Sequence, residues 1–174
     1  LVDEVSGAQQ RYDGDLELME ERPSQRFRRV SRDWALNNAQ SGLFRLDVLR
    51  RTGLDRPYVA GDVVLMAELA LYGCFGRVRS ATLFRRSGGA SMSSSLTPAQ
   101  LRALINPLAS REELTAWPRH RDLFVSILRA PIAVSEKLAC LGIAARGALW
   151  DRPRLGRELG MVLRRAVQRT PRPG

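Results

Sequence analysis

Between Asp62 and Gly73 the chain reads Val63-Val64-Leu65-Met66-Ala67-Glu68-Leu69-Ala70-Leu71-Tyr72. Only Glu68 breaks the apolar run before Tyr72. A helix that is apolar nearly all round has no face to give to water, so it has to lie in the middle of a fold with other elements covering every side. Asp62 stands just before the run, where a short acceptor side chain caps free backbone N–H groups. Gly73 is the matching stop, since glycine takes the left-handed conformation at little cost. The small residues Ala60 and Gly61 leave room for a ligand beside Asp62. Asp62 therefore reads as a structural cap, as a functional acid, or as both. Glu68 is six positions on and far round the helix, so the two acids do not form a same-face pair.

The rest of the chain has to cover that helix, and 174 residues are enough to do so. Its hydrophobic content of 44% and charged content of 26% are those of a globular protein. The net charge of +10 is carried almost wholly by arginine, Lys137 being the only lysine. Arginine suits phosphate groups, so a nucleotide diphosphate, a phospholipid surface and a nucleic acid all fit this balance. No nucleic-acid motif is present, and the aromatic residues sit at core spacings rather than along a stacking surface, which argues against nucleic acid. Cys74 and Cys140 lie in apolar contexts and read as two buried thiols in a reducing compartment.

Leu1 to Pro23 is polar and turn-rich. Asp13 and Asp15 lie in Arg11-Tyr12-Asp13-Gly14-Asp15 with no apolar strand before them, and they read as a surface turn. Ser24 is expected to cap a helix with Phe27, Val30 and Trp34 inward, and Arg26, Arg28, Arg29 and Arg32 on a solvated face. The amides of Asn37-Asn38-Ala39-Gln40-Ser41-Gly42 suit either sugar hydroxyls or a turn. Leu43-Phe44-Arg45 reads as a short buried strand, and Asp47 as the cap of a helix ending at Gly53.

Beyond the central helix, Ala81-Thr82-Leu83-Phe84 reads as extended. Arg85-Arg86-Ser87-Gly88-Gly89-Ala90-Ser91 combines positive charge with flexibility, as a phosphate-facing loop or a solvated one. From Leu96 the chain is helical. Thr97-Pro98-Ala99-Gln100 and Ser110-Arg111-Glu112-Glu113 are capping boxes. Ile132 to Leu149 is apolar but broken by Glu136, Lys137 and Arg146, so it is a packing helix and not a membrane span. A last helix near Pro153 to Arg169 places Leu155, Leu159, Val162 and Leu163 beside Arg154, Arg157, Arg164, Arg165 and Arg169. Such a helix either docks on a neighbour or contacts an anionic membrane surface. His120, the only histidine, lies between Arg119 and Arg121 and reads as a surface residue. Thr170 to Gly174 reads as a loose tail.

Three stretches together resemble the second half of a glycosyltransferase family 2 catalytic domain. They are Ser41-Gly42-Leu43-Phe44-Arg45 with Leu49-Arg50-Arg51-Thr52-Gly53-Leu54, then Gly61-Asp62 through Tyr72-Gly73, then Leu83-Phe84-Arg85-Arg86-Ser87-Gly88-Gly89-Ala90-Ser91. The resemblance runs roughly from Arg11 to Met92. It implies an α/β fold: the second half of a GT-A, Rossmann-like nucleotide-sugar transferase domain over 1–95, followed by a mainly α-helical C-terminal segment over 96–174. It implies an inverting transfer of sugar from a nucleotide-sugar donor to a glycan or lipid-linked acceptor hydroxyl. Asp62 matches the family's catalytic base, and Gly61 stands where an acidic partner often precedes it. Asn38, Gln40, Ser41 and Gly61 would line the acceptor side, and Arg85 and Arg86 would face the departing diphosphate. A divalent metal, magnesium or manganese, is implied, with its Asp-Xaa-Asp ligands expected upstream of Leu1 and the chain accordingly a fragment. Relatives often carry a histidine after the paired arginines. Ser87 and Gly88 stand there instead, which is compatible with a weaker metal site, a metal held by other ligands or a degenerate enzyme. The competing class is a non-catalytic basic binding module for nucleic acid or an anionic membrane surface.

Overall fold

The computed structural model describes residues 1–3, 6–12, 14, 16–32, 37–87, 96–107 and 114–169. Asp13, Asp15, Trp34, Gly88 to Met92, the Ser110 capping box and the Thr170–Gly174 tail lie outside them. The described residues are mainly helical. They form α1 (Pro23–Arg32), a 3-10 turn (Asn38–Ser41), α2 (Leu46–Leu49), α3 (Gly61–Tyr72), α4 (Pro98–Ile105), α5 (Ala116–Arg129), α6 (Val134–Trp150) and α7 (Arg152–Arg169). Extended pairing among them is slight. β1 (Val2–Asp3) runs parallel to β2 (Arg86–Ser87), with Val2 opposite Arg86 and Asp3 opposite Ser87. An isolated bridge joins Leu18 to Phe75.

The apolar helix is where its composition puts it. Val64, Leu65, Met66, Ala67, Leu69, Ala70 and Leu71 of α3 are all buried. Phe27 and Val30 of α1 cover one side and Ile127 of α5 belongs to the same cluster, as do Cys140 and Ala144 of α6. Burying a side chain such as Phe27 or Met66 is worth about 1.5–3 kcal/mol, so this cluster is the main source of stability. It draws on residues from both sides of position 95.

Several local expectations change once the partners are known. Ala60, at φ 70°, holds the N-cap position of α3, and Asp62 lies in the first turn instead. Gly73 ends the helix in an extended conformation, its N–H bonded to the Leu69 carbonyl, and not in the left-handed one. Leu43 is fully exposed and Leu43-Phe44-Arg45 forms no strand. The helix after it is one turn long with Arg45 at its N-cap, and Asp47 is exposed in the first turn. Ala81 to Phe84 lies outside any strand and is exposed. Cys74 is exposed and Cys140 buried, and both are free thiols. Burial, with the nearby Glu136 charge, pushes the Cys140 thiol up to about 11.

Arg26 is buried rather than solvated. Its Nε donates to the Ala70 carbonyl at 2.8 Å and its Nη1 to the Glu20 and Glu21 carbonyls. It thus satisfies a carbonyl in the last turn of α3, where a positive charge also suits the helix dipole. His120 is buried as well, with Nε2 3.1 Å from Asp151 Oδ2. Thr97, by contrast, caps α4 as its sequence predicts. Its side chain accepts from Gln100 N–H, and the Gln100 side chain reaches back to the Thr97 N–H.

Two helices are capped from far along the chain. Glu136 of α6 accepts the Ser24 N–H at 2.8 Å and Arg22 Nε at 2.9 Å, closing the start of α1. Glu158 of α7 accepts the N–H groups of Thr115, Ala116 and Trp117 at 2.9–3.2 Å, closing the start of α5. No helix among the described residues is long and apolar enough to cross a membrane.

Candidate functional site

The first turn of α3 brings Asp62 against the 3-10 turn. Asn37 Nδ2 donates to Asp62 Oδ2 at 2.6 Å and to Gln40 Oε1 at 3.1 Å. Asn37 Oδ1 accepts the Gln40 N–H at 3.2 Å. One amide therefore caps the turn and holds the carboxylate, which uses both faces of its hydrogen-bonding capacity. Next along the turn, Asn38 Oδ1 accepts from Arg85 Nη1 at 3.0 Å. Val2 N–H bonds to the Arg85 carbonyl at 2.8 Å, so the N-terminal strand fixes the backbone of that arginine.

The residues singled out from sequence divide accordingly. Asp62, Asn38, Gln40 and Arg85 come together around the turn. Ser41 is exposed at its end. Arg86 lies in β2, and its backbone pairs with Val2. Gly61 is buried, and a Cβ there would overlap the Arg56 carbonyl oxygen and lie 2.9 Å from Asp55 Oδ1. The space beside Gly61 is filled by the preceding loop rather than open to a ligand.

That loop, residues 53–60, leads into α3 and positions Asp62, through Arg56 and Tyr58, which no sequence signal marks. The Tyr58 hydroxyl donates to Asp122 Oδ2 of α5 at 2.9 Å, and Arg56 Nε lies 3.3 Å from the same oxygen. Arg121 Nε donates to the other oxygen at 2.8 Å. Burial, then the hydrogen bond and charge of Asp122, push the Tyr58 hydroxyl above its ordinary range. Glu68, fully buried in α3, accepts the Gly53 N–H at 3.0 Å and pairs with Arg129 of α5 through Nε and Nη2. The loop is held at its start by Glu68 of α3 and towards its end by Asp122 of α5. Asp55, near its middle, has its carboxyl raised by burial and by the Asp62 charge, against the Arg56 N–H and guanidinium.

Asn37 belongs to an amide-rich loop visible in the sequence, although nothing local marks it over Asn38. Asp122 and Arg129 carried no signal as supports of this loop, because Tyr58 and Glu68, the partners that matter for it, lie 64 and 61 positions away.

Among the described residues no three of His, Cys, Asp and Glu gather as a metal-holding group. These residues do not by themselves make a site for a divalent ion. Compared with known protein families, with curated proteins and with solved structures, the chain matches none.

Proposed function

We propose that this chain is the acceptor-side half of an inverting, GT-A-type glycosyltransferase that moves a sugar from a nucleotide-sugar donor to a glycan or lipid-linked hydroxyl. The observation that carries the reading is the hydrogen bond from Asn37 to Asp62, inside a turn whose next residue holds Arg85. An acid, amides and an arginine brought together by hydrogen bonds from three separate stretches are groups that sugar transfer can use. Asp62 takes the proton of the acceptor hydroxyl as that oxygen attacks the anomeric carbon from the side opposite the nucleotide. Asn37 orients the carboxylate. Asn38 and Gln40 offer amide partners to sugar hydroxyls, and Arg85 offsets charge on the departing diphosphate, with Arg86 assigned the same role by resemblance. Any divalent metal would draw on ligands outside the residues described. Two free thiols suit a reducing compartment, and we place the reaction in the cytoplasm.

The experiment is Asp62→Asn in the full-length enzyme, assayed with a panel of nucleotide-sugars. Asparagine keeps the shape of the side chain, so the fold should survive. Turnover should fall by roughly 10² or more, the usual scale for a general base. Turnover within a factor of two of wild type removes Asp62 from the mechanism. No transfer from any donor by the wild type removes the transferase reading itself.

A further inference from the structure

We propose that α7 lays its exposed apolar face on an anionic phospholipid bilayer. Leu155, Leu159, Val162 and Leu163 recur at the spacing of one helical face. The fold covers only the start of that face. Glu158 is buried against α5, and the Trp117 indole donates to the Leu155 carbonyl at 3.1 Å. Past Glu158 the helix leaves its neighbours, with Leu159 at 47%, Val162 at 40% and Leu163 at 57% exposure. A docked helix would have hidden these side chains.

The charge on the helix selects the occupant. α7 contains the arginines at 152, 154, 157, 164, 165 and 169 and a single acid, Glu158. That acid is turned inward, where it caps α5 and pairs with Arg154 at 4.0 Å, which leaves the exposed Arg157 and Arg164 without an acid on the helix to offset them. A second copy of α7 would set arginine against arginine. Nucleic acid would meet the arginines but has no use for the leucines. An anionic bilayer takes both, the apolar side chains entering the acyl boundary and the guanidinium groups reaching back to the headgroups. At 18 residues the helix is too highly charged to span, and in the interface plane it has no need to. Trp150, 63% exposed at the α6–α7 junction, carries the guanidinium groups of Arg32 and Arg146 at 5.3 and 5.0 Å from its ring. An aromatic residue between cations is at home at headgroup level.

The test is cosedimentation of the 174-residue chain with phosphatidylcholine vesicles, and with vesicles of phosphatidylcholine and phosphatidylglycerol in equal parts, at low salt. The chain should pellet with the mixed vesicles and stay in solution with the neutral ones. Arg157→Gln with Arg164→Gln should lower partition by about 30-fold, each arginine near an anionic surface being worth about 1 kcal/mol. Leu159→Ser with Leu163→Ser should lower it by about tenfold or more. High salt should mimic the arginine changes. All four side chains are exposed, so an unchanged thermal midpoint shows that each variant still folds. Equal pelleting with both vesicle types overturns the proposal, as does binding that ignores the serine changes. A lipid-free dimer that the serine changes dissociate assigns the face to a second copy and overturns it too. Vesicle binding needs no turnover, so neither result bears on sugar transfer.

Discussion

Ala60 and Gly61 are neighbours under opposite constraints. Ala60 carries a positive φ, which strains any residue with a Cβ. Gly61 has ordinary helical surroundings but no space, since its Cβ would overlap the Arg56 backbone. Ala60→Gly should therefore stabilise the chain by roughly 0.5–1 kcal/mol, the relief of strain exceeding the added freedom of the unfolded chain. Gly61→Ala should destabilise it by about 1–3 kcal/mol, because a carbonyl and not a flexible tip has to move. Urea midpoints of the two variants check this, and two shifts of the same sign would refute it. Any larger side chain at position 61 would meet the same carbonyl. At this scale the sequence was informative where a property is local. Asp62 stood out by its place before an apolar run, and its neighbours Asn38 and Gln40 by their amides. The burial of Arg26 and His120 was not legible, because a charge in a sequence looks solvated until its partner is placed. For Arg26 the partners are three backbone carbonyls.

Ser24, expected to cap α1, lies inside its first turn, since the helix begins at Pro23, and α1 and α5 each take a carboxylate from a later helix. The Ser24 hydroxyl and N–H, with Arg22, hold Glu136 at about 2, well below its ordinary 4.5. Burial pushes Glu158 up, yet the N–H groups of Ala116, Thr115 and Trp117 outweigh it and leave it below its usual range. A carboxylate whose folded pKa is lowered contributes stability that is complete above its unfolded pKa. That stability is lost as the pH falls through the folded value. Unfolding midpoints of the wild type should therefore drop as pH goes from 4.5 towards 2. Glu136→Gln should cost about 1 kcal/mol at pH 6, as loss of a cap does, and the gap between variant and wild type should close as the pH approaches 2. A gap that stays constant across that range would mean the charge of Glu136 is not what matters. The Thr97 capping box was legible because both halves lie within four residues. Glu136 and Ser24 are 112 positions apart, and nothing in either stretch points to the other. The apolar character of α3 told which helix would be central, but not which helices would cover it.

On the scale of the whole molecule, the division at residue 95 suggested by the resemblance does not coincide with a gap in the packing. Phe27, Val30, Met66 and Leu69 share one cluster with Ile127, Ala130, Cys140 and Ala144. Polar links cross the same boundary, among them Glu68 to Arg129, Tyr58 and Arg56 to Asp122, and Glu136 to Ser24 and Arg22. Removing 96–174 would take from Glu68 its cation Arg129 and expose that core, where each side chain such as Phe27 or Met66 contributes about 1.5–3 kcal/mol by burial. A few such side chains together are comparable with the whole stability of a small domain, about 5–15 kcal/mol. Residues 1–95 expressed alone should thus show little helical circular dichroism and no cooperative melt, while the full chain should unfold in one transition that is the same by circular dichroism and tryptophan fluorescence. The comparison is sensitive because α1 and α3, which dominate the helix of 1–95, are the elements that α5 and α6 cover. A cooperative melt of 1–95 at the midpoint of the full chain would show that the first part folds by itself and that the later helices only decorate it. Loss of the melt would make α5 and α6 part of the fold that positions Asp62, since the loop leading to it is tied at Tyr58 to Asp122, and at Gly53 to Glu68, whose cation Arg129 only the full chain supplies.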